Sequence, residues 1–98
     1  MKFLLVASKP DKLRDILGFT KAAVRQGHNV TIFFNEDSVT LLKKGSPVEM
    51  LYAELLACRA SARDLDIPRE GMISNARMSS LTELVELLEQ ADRVVFLN

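Results

Sequence analysis

The feature that most constrains the fold of this chain is an alternation between two kinds of hydrophobic pattern. The segments "KFLLVA" (2–7), "NVTIFF" (29–34) and "DRVVFL" (92–97) are short, nearly continuous apolar runs, as expected for strands covered on both faces. Between the first two, apolar residues recur at steps of three and four from Leu13 to Val24, which is the stripe of an amphipathic helix. Strands and helices that alternate over short connections predict an α/β domain.

Residues with capping tendencies mark the ends of the first two predicted helices. Asp11 stands at the expected N-cap of the first helix, and Gly27 stands where that helix would end. The segment "EDSVTLLKKG" (36–45) predicts a short second helix, with Asp37 or Ser38 as its cap and two lysines near its C-terminal end.

The middle of the chain is ambiguous. The segment "SPVE" (46–49) resembles a capping box with proline at the first helical position, so one prediction is a helix from there onward. "AELLAC" either continues that helix or forms a short central strand. The alternation favours a strand that ends at Ala57 or Cys58, followed by a helix over "RASARDLD" (59–66).

The last third completes the pattern. "GMISNA" (71–76) predicts a weak strand, Ser80-x-x-Glu83 is a capping box ahead of a clear amphipathic helix, and "DRVVFLN" is a fifth strand. We therefore expect one domain over residues 1–98, with a mainly parallel five-stranded sheet in a three-layer α/β/α arrangement, flavodoxin-like in general form.

Composition excludes several classes of protein. Hydrophobic residues make up 48% of the 98 residues, which is enough for a continuous core, and 13 basic side chains balance 13 acidic ones. A net charge of zero supplies no field that would draw the protein to nucleic acid or to an acidic membrane. The apolar stretch in "MKFLLVASKP" is too short for a signal peptide. With a single cysteine no internal disulfide can form, which fits the reducing cytoplasm.

Cys58, the only cysteine, falls at the predicted functional edge of the sheet. Ligands of open parallel sheets bind outside the carboxyl ends of the strands. Those ends are predicted at residues 8–10, 35–37, 58–59 and 76–77. The thiol would therefore lie at this edge and at the start of a helix.

A cysteine in that position points to thiolate chemistry. Unpaired amides at a helix start and nearby cations favour the thiolate, and Arg59 and Arg63 follow one turn apart. Ser61 completes Cys58-x-x-Ser61, and its hydroxyl is a candidate hydrogen-bond donor to a thiolate or persulfide. The alternative is that Cys58 is a small buried hydrophobe, a common fate of free cysteine.

Other kinds of site are disfavoured. His28, the only histidine, starts the second strand at the opposite edge, so neither a Cys-His pair nor a zinc or iron–sulfur site is expected. The loop "SKPDKL" contains no glycine, and the chain has no phosphate-binding glycine motif, so a nucleotide-binding module ranks last and no cofactor is expected. Met50, Leu51 and Tyr52 precede the central strand, where an exposed apolar patch would suit a subunit interface. Core packing is nevertheless expected for at least two of the three.

The order of four segments resembles the DsrE/DsrF-like family of small sulfur-relay proteins. These segments are "KFLLVASKPDKL", "AAVRQGHNVTIFFNEDSVTLL", "ELLACRASARDLDI" and "LTELVELLEQADRVVFL", and together they span almost the whole chain. The resemblance implies a three-layer domain that assembles as a homo-oligomer, a trimer or hexamer, or as a heterohexamer. It also implies that Cys58 carries sulfane sulfur as a persulfide between a donor protein and an acceptor protein.

The chain departs from that family pattern in one region. It is shorter than typical active members between Gly45 and Cys58, where they have a fuller helix. Some short relatives have lost the cysteine and serve as assembly subunits. The rival prediction is therefore a non-catalytic assembly or regulatory subunit in which Cys58 only packs.

Overall fold

The computed structural model describes residues 1–98 as five strands and three α-helices joined by short loops and 3₁₀ turns. The strands are β1 (Lys2–Ala7), β2 (Asn29–Phe34), β3 (Glu54–Cys58), β4 (Ala76–Ser79) and β5 (Arg93–Leu97). The helices are α1 (Leu13–Arg25), α2 (Arg59–Asp64) and α3 (Leu81–Gln90). The strands form one sheet in the order β4-β3-β2-β1-β5, and every neighbouring pair is parallel. The predicted α/β architecture is confirmed.

The two faces of the sheet differ in how well they are covered. One face packs against α1, α2 and the 3₁₀ turns in a core of 18 buried residues, among them Leu5, Ile32 and Leu55. Each such side chain contributes roughly 1.5–3 kcal/mol to folding when fully buried. The opposite face has five buried residues, packed against partly buried side chains that lie mainly on α3. Since α3 alone crosses this face, the smaller core depends on a single helix.

The sequence pattern placed the fourth strand too early. β4 runs over Ala76–Ser79, whereas the prediction was 71–76. Met72 and Ile73 are buried because the loop packs on the larger core, where the Ile73 amide donates to the Leu42 carbonyl at 2.9 Å. Because Met72 and Ile73 are buried, this loop has the apolar sequence pattern of a strand. The carboxyl end of β4 is therefore Ser79.

The segment after β2 is a 3₁₀ helix over Glu36–Leu42. Its cap is Asn35, and the prediction of Asp37 or Ser38 as the cap was wrong. The Ser38 side chain instead reaches back, accepting from the Asn35 amide at 3.0 Å and donating to the Ala7 carbonyl at 2.8 Å. This arrangement ties the carboxyl ends of β1 and β2 together.

The ambiguous middle of the chain forms a 3₁₀ turn over Pro47–Met50, with Ser46 as its cap, and β3 follows from Glu54. Only Leu51 of the three residues Met50, Leu51 and Tyr52 is buried, while Met50 and Tyr52 are 86% and 87% exposed. The expectation of core packing for two of the three was wrong. A single 3₁₀ turn cannot bring successive side chains onto one inward face. None of the helices has the length and hydrophobicity that a membrane-spanning helix requires.

Candidate functional site

Cys58 is the last residue of β3 and lies at the carboxyl edge of the sheet, as predicted from the alternation of elements. Its side chain belongs to the smaller core, with Leu4, Val6, Phe33 and Leu56. Only 3% of the residue is exposed, and the thiol forms no disulfide. The sulfur is therefore reached only if its cover moves.

That cover is the least buried helix of the protein. Leu84, Leu87 and Leu88 of α3 pack against the cluster that contains Cys58, but no residue of α3 is fully buried. Helices held by few buried contacts open at low free energy. Opening of α3 is thus the simplest route from solvent to the sulfur.

Helix α2 begins directly after the cysteine. Cys58 occupies its N-cap position with extended backbone, at φ −63° and ψ 117°, and its side chain makes no capping hydrogen bond. Arg59 and Arg63 are both exposed, and neither forms an ion pair or a side-chain hydrogen bond with the protein. Both guanidinium groups are thus free to reorient toward a charged group at this edge.

Ser61 is engaged elsewhere. Its hydroxyl donates to Asn35 Oδ1 at 3.0 Å and accepts from the Glu36 amide at 2.9 Å. Glu36 has a left-handed backbone with φ 49°, so this bond anchors a strained turn. Beside it lies a cavity of about 300 Å³, lined by Ser61, Leu65 and the carboxylates of Glu36, Asp37 and Asp64. The predicted contact between Ser61 and the sulfur would require the hydroxyl to leave Asn35.

A polar cluster that the sequence did not indicate lies on the same face as Cys58. Ser79 is the register partner of Cys58 across the β3–β4 pair and is itself buried. Its hydroxyl donates to the Glu83 carboxylate, which also accepts two hydrogen bonds from Arg77 at 3.1 and 2.8 Å. Arg77 further pairs with Glu54 at 3.5 Å.

These contacts set the charge of the cluster. The hydrogen bonds from Arg77 and then from Ser79 hold the pKa of Glu83 below its usual range, and the hydrogen bond to Glu83 raises the pKa of Arg77. The only sequence signal was the capping box. The Glu83 amide does donate to Ser80 Oγ at 3.1 Å, but the Glu83 carboxylate turns to Arg77 and Ser79.

The single histidine lies away from this edge. His28 precedes β2 at the amino end of the sheet, where its ring stacks on Phe3 with centroids 4.6 Å apart and Nδ1 lies 3.1 Å from the Met1 amino group. No group of three His, Cys, Asp or Glu side chains is arranged to hold a metal ion. Of the predicted site residues, Cys58, Arg59 and Arg63 are close along the chain at the start of α2, but the structure does not bring their side chains into contact. The Cys58 side chain lies in the smaller core, whereas α2 packs on the larger core at the opposite face, and Ser61 is bonded to the neighbouring loop.

Comparison with known proteins agrees with this architecture. The family model of the DsrE/DsrF-like family matches residues 1–97. The crystal structure of the ychN protein from E. coli superposes with a TM-score of 0.75 at 14% identity, covering 98% of this chain and 99% of that one. A protein of unknown function, MTH1491 from Methanobacterium thermoautotrophicum, superposes with a TM-score of 0.74 at 10% identity, covering 97% of each chain. No curated protein matches in sequence. With the fold and the family model in agreement over nearly its whole length, the chain belongs to the DsrE/DsrF-like family.

Proposed function

We propose that this protein is a sulfur-relay carrier that holds sulfane sulfur as a persulfide on Cys58. The observation that carries the proposal is the position of the only thiol, at the carboxyl end of β3 and immediately before α2, in a DsrE/DsrF-like domain. Membership of the family supports a sulfur-relay role in general. Transfer through Cys58 is the specific claim.

The transfer needs no cofactor. The Cys58 thiolate attacks the terminal sulfur of a persulfide on a donor protein; a new S–S bond forms, the donor's S–S bond breaks, and the donor leaves as a thiolate. A thiolate on the acceptor protein then attacks the terminal sulfur on Cys58, and the Cys58 thiolate is regenerated. Each step is a thiol–disulfide type exchange, so no external oxidant or reductant is consumed.

Arg59 and Arg63 are the cations we assign to the charged forms of this sulfur. Both are exposed and unpaired, so turning toward a thiolate or persulfide anion breaks no existing ion pair. Ser61 can stabilise the sulfur only if its hydroxyl gives up the hydrogen bond to Asn35 and donates to the sulfur instead. Reaction also requires α3 to open, because Cys58 is buried. Docking of the donor or acceptor is the natural trigger for that opening.

The same burial favours a second candidate function. A thiol enclosed by Leu4, Val6, Phe33 and Leu56 is what an assembly or regulatory subunit with a packing cysteine would show. In either role we place the protein in a reducing compartment, the cytoplasm, where a free thiol persists, and we propose that it forms a homo-oligomer.

Intact-mass spectrometry of the native protein separates the two functions. The protein is incubated with polysulfide, or with a cysteine desulfurase and cysteine, beside Cys58→Ser as the matched control. A gain of one sulfur atom that reductant reverses and Cys58→Ser lacks supports the carrier. If the folded protein gains no sulfur and its cysteine also resists maleimide, the assembly-subunit function takes its place.

A further inference from the structure

The structure leaves two apolar surfaces uncovered, and they carry opposite charge. The first, the α3 patch, consists of Leu81, Val85 and Phe96 with Glu86 and Glu89. The second, the α1 patch, consists of Val24, Met50 and Tyr52 with Lys21 and Arg25. They lie on opposite faces of the sheet, because α1 packs on the larger core and α3 on the smaller.

The α3 patch lies on the poorly covered face of the sheet. Leu81, Val85 and Phe96 are 56%, 54% and 57% exposed. Leu81, Val85 and Glu89 follow each other at four-residue steps and thus form one row along α3. Phe96 is the register partner of Val6, whose side chain belongs to the α3 core, so Phe96 lies on the α3 face. Glu86 and Glu89 are exposed and form no ion pair.

The α1 patch has the complementary form. Val24, Met50 and Tyr52 line a shallow cavity of about 230 Å³ together with Lys21 and Arg25, which lie one helical turn apart on α1. Met50 and Tyr52 are the most exposed large apolar side chains in the protein. Neither Lys21 nor Arg25 pairs with an acidic group, since all ion pairs of this chain involve Arg77. Here a basic rim borders an apolar recess, whereas the α3 patch is an apolar ridge with an acidic rim.

We propose that the α3 patch of one copy of this chain docks on the α1 patch of the next. Leu81, Val85 and Phe96 would cover Met50 and Tyr52, while Glu86 and Glu89 would face Lys21 and Arg25. Charge complementarity selects a second copy as the occupant, because one chain carries both halves of the pair. The contact joins two different surfaces, so it is heterologous and closes into a ring when the rotation between copies permits.

This proposal rests on the homo-oligomer named with the proposed function and identifies the surfaces that build it. It also gives α3 a role beyond covering the smaller core. The helix above Cys58 would itself be held by a neighbouring copy, and the thiol would lie close to a subunit boundary. Sulfur loading of Cys58 is measured independently, so either idea can fail without the other.

Charge exchange between the patches tests the pairing. Lys21→Glu with Arg25→Glu makes both patches acidic, and Glu86→Lys with Glu89→Lys makes both basic. Like charges across the contact are expected to raise its dissociation constant roughly tenfold or more. The quadruple variant restores opposite charges at every contact, whatever the number of copies, and is expected to assemble like the wild type. Lys43→Glu with Lys44→Glu lowers the net charge as much as Lys21→Glu with Arg25→Glu does, at exposed residues that belong to neither patch, and is expected to stay assembled.

Analytical ultracentrifugation measures assembly, and circular dichroism confirms that each variant is folded. A monomeric wild type at high micromolar concentration overturns both the homo-oligomer and the pairing. The pairing alone is overturned if both double variants still assemble, or if the quadruple variant folds but stays dissociated.

Cross-linking tests the contact directly. In a Cys58→Ser background, the variant with Lys21→Cys and Glu89→Cys should give covalent ladders when treated with a short bis-maleimide. Single-cysteine variants should give dimers at most, and the absence of ladders from an assembled sample contradicts the contact.

Discussion

Cys58 and Ser79 are register partners across two parallel strands, and both are buried on the face that α3 covers. Ser79 is bonded to Glu83 on α3, and Glu83 is bonded to Arg77 on β4. The start of α3 is thus hydrogen-bonded to β4, the strand beside Cys58. These hydrogen bonds make the stability of α3 as a cover dependent on pH and on a few named side chains.

We expect the Glu83 cluster to stabilise the protein above about pH 4.5 and to lose that effect in acid. Its pKa is lower in the folded state than in the unfolded chain, first because of Arg77 and then because of Ser79. Stability is therefore fully present above the unfolded pKa and falls as pH drops through the lowered folded pKa. Urea unfolding should give a higher free energy of unfolding for the wild type than for Glu83→Gln at neutral pH, and the difference should disappear in acid.

Glu70→Gln is the matched control, because Glu70 is an exposed glutamate without an ionic partner and belongs to neither patch. Its unfolding free energy should run parallel to that of the wild type at every pH. A gap for Glu83→Gln that does not change with pH would contradict the assigned charge state.

Shortening a side chain under α3 should expose the thiol. Leu84 packs against the cluster that contains Cys58, so Leu84→Ala weakens the cover, at a cost of about 1–2 kcal/mol for a partly buried leucine. If α3 opens locally, the native-state reaction of Cys58 with maleimide should accelerate by about tenfold, the factor that corresponds to 1.4 kcal/mol. Thr82→Ala, an exposed position on the same helix, should leave the rate unchanged. Equal rates in both variants would mean that the thiol is reached by another route.

Removing the Ser61 hydroxyl should affect the loop more than the sulfur. Ser61→Ala removes one hydrogen bond from the Glu36 amide and one from Asn35 Oδ1, which keep the bond they make to each other. We therefore expect a loss of about 0.5–1.5 kcal/mol of unfolding free energy. The rate of sulfur uptake by Cys58 should change less than twofold. A large fall in that rate, with stability nearly intact, would show that the hydroxyl serves the persulfide instead.

Thr20→Val should stabilise the protein. Thr20 is fully buried on α1, and its hydroxyl is the one buried side-chain polar atom without a hydrogen-bond partner. Valine has nearly the same shape and removes the cost of burying an unsatisfied hydroxyl, about 1 kcal/mol. Denaturant unfolding should show a higher midpoint with an unchanged slope. A lower midpoint would indicate that the hydroxyl is satisfied in solution.

Most of the fold could be predicted from the sequence, because the hydrophobic residues of its strands and helices recur with different periods. β1, β2 and β5 are continuous apolar runs, and α3 follows the capping-box signature Ser80-x-x-Glu83, so local pattern was sufficient to place each of them. It also placed Cys58 at a strand end. β4 was misplaced because Met72 and Ile73 are buried by the loop around Leu42, a contact between distant segments.

The candidate site was predicted only in part for a related reason. Arg59 and Arg63 are close to Cys58 along the chain, and they could be named from the sequence. Ser79, by contrast, comes beside Cys58 only through the β3–β4 register, and Glu83 turns from its capping position to Arg77 because β4 ends where it does. No local period encodes either relationship.

The connection from β4 to β5 has a consequence for how the protein folds. It passes over β3, β2 and β1 before β5 pairs with the far side of β1, so its contacts join residues that are distant along the chain. Contacts of that kind form late, after the entropy of closing a long loop has been overcome. We therefore expect β1, β2 and β3 to condense first with α1, and α3 with β5 to dock last. Until α3 and β5 dock, Cys58 of a newly made chain would be exposed to solvent.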